Sequence, residues 1–195
     1  MCFCRRHNKR EDEDPKDMII DASHKGPVQV YIASGEKDGE GKVWQKLWQD
    51  KGTAPSEWGT LKLIAARGRH WIRMPDIAPG KYLLRSEILA LHASDARYDQ
   101  NKDRGLQMYT SCMQVEILAD AASKGRPALS EDGAVAFPGA YKYDDTKGVH
   151  YSIYTNTATA LTNYEPPGGP VWKGPGSSGD GGFGTGPGAK KLRIR

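Results

Sequence analysis

Four residues in three separated stretches have side chains able to do chemistry together: His24 in Ser23-His24-Lys25-Gly26-Pro27, His92 closing YLLRSEILALH, and Gln107 with Tyr109 in LQMYTSC. Two imidazoles, an amide and a phenol form a coherent set only if the fold gathers them. Imidazole nitrogens suit copper. The set reads as half of a copper site. Taken singly, each residue has a plainer explanation: His24 as a turn residue beside glycine and proline, His92 as an edge histidine, and Tyr109 as a half-buried strand aromatic whose hydroxyl needs a partner.

The elements that must position these residues read mostly as strands. Val28, Val30 and Ile32 alternate with Gln29, Tyr31 and Ala33, the pattern of a strand with one buried face. A second run is 42–48. Residues 70–74 and 81–88 flank Pro79-Gly80, which predicts a hairpin around 75–80. The next strand runs from Gln107 to Leu118, and its period of two puts Gln107, Tyr109 and Ser111 on one face. Residues 125–172 hold little regular pattern. Short strands between Gly/Pro turns, with no βαβ alternation, predict an all-β fold: an antiparallel β-sandwich of immunoglobulin-like or fibronectin-like type with long loops.

Composition narrows the functional classes. The 195 residues are 37% hydrophobic and 27% charged, with no apolar run near the roughly 20 residues that a membrane-spanning helix needs. The net charge of +4 is confined to the end of the chain. Residues 1–17 carry five basic and five acidic groups, and residues 173–195 carry five basic groups against Asp180, leaving 18 of each sign between. Neither a membrane nor a nucleic acid is therefore an expected partner. Residues 1–17 read as a disordered polar arm without the apolar core of a signal peptide, and 173–195 as a Gly/Ser-rich linker with a basic end. Cys112 is the only cysteine in a patterned segment, which reads as a free buried thiol or one whose partner is missing. His70 and His150 read as surface residues, and Arg85 and Glu87 as a structural pair on one strand face.

The succession SHKGPVQVYIA, GKVWQKLW, IAPGKYLLRSEILALHAS, GLQMYTSCMQVEI, FPGAY and YEPPGGPVW resembles the fungal lytic polysaccharide monooxygenases of auxiliary activity family nine. The resemblance is collinear over residues 18–172. It implies a copper ion as cofactor, with His24 and Tyr109 as metal ligands and with His92 and Gln107 as hydrogen-bonding catalytic residues. It also implies oxidative cleavage of a β-1,4-glucan such as cellulose, an external electron donor, an extracellular location and a monomeric state for a complete member. Tyr164, in the family's C-terminal loop, is the expected substrate-stacking residue.

In that family a first histidine, whose amine and imidazole complete the copper site, precedes the position of His24 together with several strands and a cysteine partner. Here 23 residues precede His24 and do not resemble that section. The resemblance therefore predicts an incomplete sandwich, weak copper binding and a Cys112 without its disulfide partner, with a non-catalytic polysaccharide-binding or inactive remnant as the alternative. Arg5-Arg6 lies directly before His7, so cleavage there would create another N-terminal histidine.

Overall fold

The structure, a computed structural model, describes residues 2–4, 19–177 and 179–186. The strands are β1 (Cys2–Cys4), β2 (Val28–Ser34), β3 (Lys42–Asp50), β4 (Gly52–Thr53), β5 (Glu57–Trp58), β6 (Arg69–Ile72), β7 (Gly80–Ala90), β8 (Gln107–Ile117), β9 (Val135–Ala136) and β10 (Gly181–Phe183). Two short helices, α1 (Gly59–Ala65) and α2 (Ala160–Asn163), complete the inventory of longer elements. A five-stranded sheet has the order β8-β7-β2-β3-β9, and a three-stranded sheet the order β1-β6-β10. All the strand pairings in both sheets are antiparallel.

The main core lies on the inner face of the five-stranded sheet. Val28, Val30 and Ile32 from β2, Trp48 from β3, Leu84 and Ile88 from β7 and Val115 from β8 meet Ile72 of β6, with Leu63 of α1 and Ile77 closing the layer. Phe183 of β10 packs against the same cluster. This is the sandwich that the strand spacing predicts.

β2 departs from the one-faced pattern expected of it. Its first six residues are all buried, Gln29 and Tyr31 included. The outer face is covered because Phe137, Tyr141 and the stretch 164–168 lie across it: Phe137 packs edge-on to Tyr31, and the Tyr31 hydroxyl lies 3.3 Å from that of Tyr141. A strand covered on both sides no longer needs alternation. The expected hairpin at 75–80 is also absent. β6 pairs with β1 and β10, whereas β7 pairs with β2 and β8, so the chain crosses between sheets through buried Ile77. Part of the Gly-rich segment taken as linker is strand β10, held by pairing with β6. The basic end and most of the N-terminal arm, His7 included, lie outside the described residues.

His70, expected at the surface, is fully buried: its ring stacks on Trp48 at 5.9 Å and Nε2 lies 3.1 Å from Ser86 Oγ. Cys112 is the reverse case, exposed on the outer face of β8 rather than buried.

One buried cation ties the irregular C-terminal stretch to the sheet. Lys46 Nζ donates to Gln49 Oε1 and to the Pro167 carbonyl, each at 2.8 Å, while the Trp172 amide donates to the Lys46 carbonyl. Burial lowers the Lys46 pKa from 10.5 to about 7, against an opposing pull from Glu87. Above pH 7 the folded chain has lost this proton while the unfolded chain keeps it up to the ordinary lysine range. The unfolded state then binds more protons, so stability rises with pH across that interval. Lys46→Met is expected to flatten the rise, measured as the urea midpoint at stepped pH and constant ionic strength.

Candidate metal centre

His24 is placed by a turn and by strand register. Asp21 Oδ1 accepts from the Ser23 amide at 2.7 Å and the Asp21 carbonyl accepts from the His24 amide at 3.0 Å, a side-chain-closed turn of the kind aspartate favours. Beyond the turn, the β2–β7 pairing continues outside the strands proper. The register that sets Val28 against Ile88 carries on through the bonds Leu89 N–H to Pro27 O and Leu91 N–H to Lys25 O. One step further, that register stands His24 directly across from His92. Their ring centroids are 4.2 Å apart with planes tilted by 50°.

Gly26 makes this close approach feasible. A Cβ built there would lie 1.7 Å from the Leu89 carbonyl oxygen, and the Gly26 amide and carbonyl are both bonded to Thr60, through Oγ1 and the amide. Gly26→Ala is expected to push the turn off β7. It should cost about 1–3 kcal/mol in guanidinium unfolding and separate the two histidine rings, read as loss of the NMR ring-current shifts between them.

The third contributor comes from β8. Residues two apart share a strand face, so Gln107 and Tyr109 point the same way, and the Tyr109 hydroxyl donates to Gln107 Oε1 at 3.1 Å. The Tyr109 ring meets His24 edge-on at 5.6 Å. The fold thus gathers His24, His92, Gln107 and Tyr109 at one end of the five-stranded sheet.

The electrostatics favour a neutral His92 imidazole. Burial lowers the pKa of His92, the neighbouring His24 and Arg104 push the same way, and Asp21 only partly opposes them. His92 Nδ1 is buried with no hydrogen-bond partner among the described residues, which leaves a polar atom needing one. His24 Nδ1 lies 3.3 Å from Ser23 Oγ. When Nδ1 carries the proton and donates to that hydroxyl, the lone pair stays on Nε2.

These donors suit one class of metal. Two imidazoles and a phenol match a borderline transition ion such as copper, whereas magnesium or calcium would call for carboxylates. The nearest carboxylate, Asp21, is exposed, with Oδ1 4.0 Å from His24 Nδ1. No group of three or more His, Cys, Asp and Glu able to hold a metal occurs among the described residues. The donor types fit copper, and His24 with Tyr109 supplies a partial set.

Tyr164 does not take the stacking position expected of it. It is fully buried, packed edge-on against Trp58 and Tyr151, with its hydroxyl donating to the Gly148 carbonyl at 3.1 Å. A ring with no free face cannot stack on a sugar. The apolar neighbours of the 160–164 helix end claim it as a core residue instead. Tyr154, 58% exposed, does present its ring to solvent.

Asp21 and Ser23 join the site as the turn that places His24, and Arg104, paired with Asp95, acts on His92 only through its charge. The Asp-x-Ser turn signal before His24 was readable, whereas nothing local marks Arg104.

Residues 8–164 match the model of Auxiliary Activity family 9 (formerly GH61). AA9 family lytic polysaccharide monooxygenase A of Schizophyllum commune is 44% identical over 174 residues, 88% of this chain and 64% of that protein. The protein of the same name from Phanerochaete carnosa is 41% identical over 166 residues, 85% of this chain and 57% of its own length. Among solved structures, CvAA9A superposes with a TM-score of 0.69 at 38% identity, over 82% of this chain and 68% of that one. The structure titled HiLPMO9B gives 0.57 at 31% identity, over 77% and 65%. The chain spans 57–64% of the length of these two curated relatives.

Proposed function

This chain belongs to auxiliary activity family 9, and from that premise we propose that it serves in copper-dependent oxidative cleavage of a β-1,4-linked glucan outside the cell. The observation that carries the reading is the convergence of His24, His92, Gln107 and Tyr109 from three separated segments, with His92 Nδ1 buried and unpartnered among the described residues.

When bound, a copper ion would supply one-electron redox chemistry with dioxygen or peroxide, fed by an external donor, for hydrogen abstraction beside the glycosidic bond. His24 and Tyr109 would hold it, His24 through whichever ring nitrogen is not protonated. His92, kept neutral by burial, presents a hydrogen-bonding nitrogen next to that position. Gln107 accepts from the Tyr109 hydroxyl and so orients the phenol. Orientation by such neighbours commonly accounts for 10- to 100-fold in metal affinity or activity.

A second reading, a polysaccharide-binding domain without oxidative activity, is favoured by the partial donor set among the described residues. Copper(II) titration by calorimetry, followed by mass spectrometry of cellulose incubated with the loaded protein, ascorbate and peroxide, separates the two. Tight copper with oxidised oligosaccharides supports the proposal. Cellulose pull-down without copper binding or oxidised product overturns it in favour of the second.

A further inference from the structure

β8 is an edge strand: in the order β8-β7-β2-β3-β9 it is bonded on one side only, and no other described strand lies along its far side. The ladder register says which backbone groups that edge offers. The Leu89 amide donates towards β2, so the odd residues of β7 point their N–H and C=O groups at β2 and the even ones at β8. Pairs such as Ile88 with Tyr109 and Ser86 with Ser111 then place the odd residues of β8 in bonds to β7. Met108, Thr110, Cys112, Gln114 and Glu116 turn theirs outward.

The usual protections of an edge are missing here. Natural edges carry lysine, proline, a bulge or short length to prevent strand addition. β8 is eleven residues long, contains no proline or lysine, has Glu116 as its single charge, and pairs with β7 through eleven positions without a register shift. Its outward face is exposed, with Met108 at 53%.

We propose that β8 pairs antiparallel with β8 of a second copy of this chain, about a twofold axis through Cys112, joining the two five-stranded sheets into one. The antiparallel register that uses all eleven residues is centred on Cys112, the middle of QMYTSCMQVEI. Met108 then faces Glu116 of the second copy and Thr110 faces Gln114, so no like charges meet. All of these lie among the outward-turned positions, so the donors and acceptors of both edges are satisfied reciprocally. Tyr109 lies across from Val115 on the other face, an aromatic against a β-branched residue, which is a favourable cross-strand pair. Cys112 faces its own copy as a hydrogen-bonded pair, whose Cα separation of about 5.5 Å falls within the roughly 4.4–6.8 Å that a disulfide spans. Oxidised glutathione would therefore convert two Cys112 thiols to one disulfide, with two protons and two electrons leaving to give two molecules of reduced glutathione.

This inference is independent of copper and of catalysis. The test is light scattering of the full chain across a dilution series in reducing buffer, then non-reducing peptide mapping after oxidised glutathione. A concentration-dependent dimer and a Cys112–Cys112 crosslink are expected. Thr110→Lys/Gln114→Lys sets lysine against lysine twice across the axis and should raise the dissociation constant at least about 10-fold, since like charges directly opposite are destabilising. Cys112→Ser should lose the crosslink and keep the reduced dimer. Circular dichroism confirms that each variant is folded, and Thr110→Pro, which removes only an outward N–H, serves if the lysine pair is not. A monomer at every concentration, a dimer indifferent to these edge substitutions, or crosslinks confined to Cys2 and Cys4 would overturn the proposal.

Discussion

Replacing His24 by alanine is expected to weaken copper(II) binding by about 100-fold or more, measured by calorimetry against a competing chelator. Loss of a neighbouring orienting group costs about 10- to 100-fold, and a direct donor stands at or beyond the upper end of that range. His92→Ala is expected to cost about 10-fold, because its ring lies beside His24 rather than replacing it as donor. Tyr109→Phe, which removes only the hydroxyl, should change the electron paramagnetic resonance signal of bound copper more than the affinity. The fold should tolerate all three, since both histidines sit at the end of the sheet and Tyr109→Phe keeps the ring that packs against the core. Equal copper affinity in His24→Ala and the parent chain would remove His24 from the site altogether.

Glu87→Ala is expected to be the most damaging single change to stability, at about 3–5 kcal/mol in guanidinium unfolding. The carboxylate is fully buried on the outer face of β7. Arg85 binds it at 2.9–3.0 Å, Gln29 Nε2 donates at 3.3 Å, and the Tyr141 hydroxyl donates to the same oxygen. Arg85 also lies over the Phe137 ring at 4.2 Å, so its position depends on packing as well as charge. Removing the acid leaves a guanidinium, a phenol and an amide with no common acceptor in a buried place, which is why breaking such a cluster costs more than forming it gains. Glu87→Gln, which keeps the shape and one acceptor oxygen, should lose less. A loss below about 1 kcal/mol for the alanine variant would mean that water reaches the cluster.

The legible parts of the molecule are those whose information is local. Period-two alternation marks β8, and the shared face of Gln107 and Tyr109 follows from strand geometry alone. The hairpin expected at Pro79-Gly80 failed because a turn signal reports a change of direction and not the sheet in which the next strand finds its partner. β2 was read with one buried face because nothing periodic announces that 137–141 and 164–168 will cover the other. His70 and Tyr164 were misplaced for the same reason: Trp48 and Trp58, which pack against them, are distant in sequence. The meeting of His24 with His92 is a matter of register between β2 and β7. Types and order pointed to it through family resemblance, but only the ladder shows why the two rings touch.

The position of β6 has a kinetic consequence. β7 and β8 are consecutive strands, and so are β2 and β3, so both pairs can zip early, with connections of 16 and 7 residues to close. β6 has no such neighbour: Ile72 waits for Gly181, and His70 for Phe183, from the far end of the described chain. Closing a loop of that length carries an entropy cost that must be met before any bond forms. The five-stranded sheet should therefore assemble first, leaving Trp48 and His70 transiently uncovered. During synthesis the final covering of this face would come only after residues 181–183 have left the ribosome.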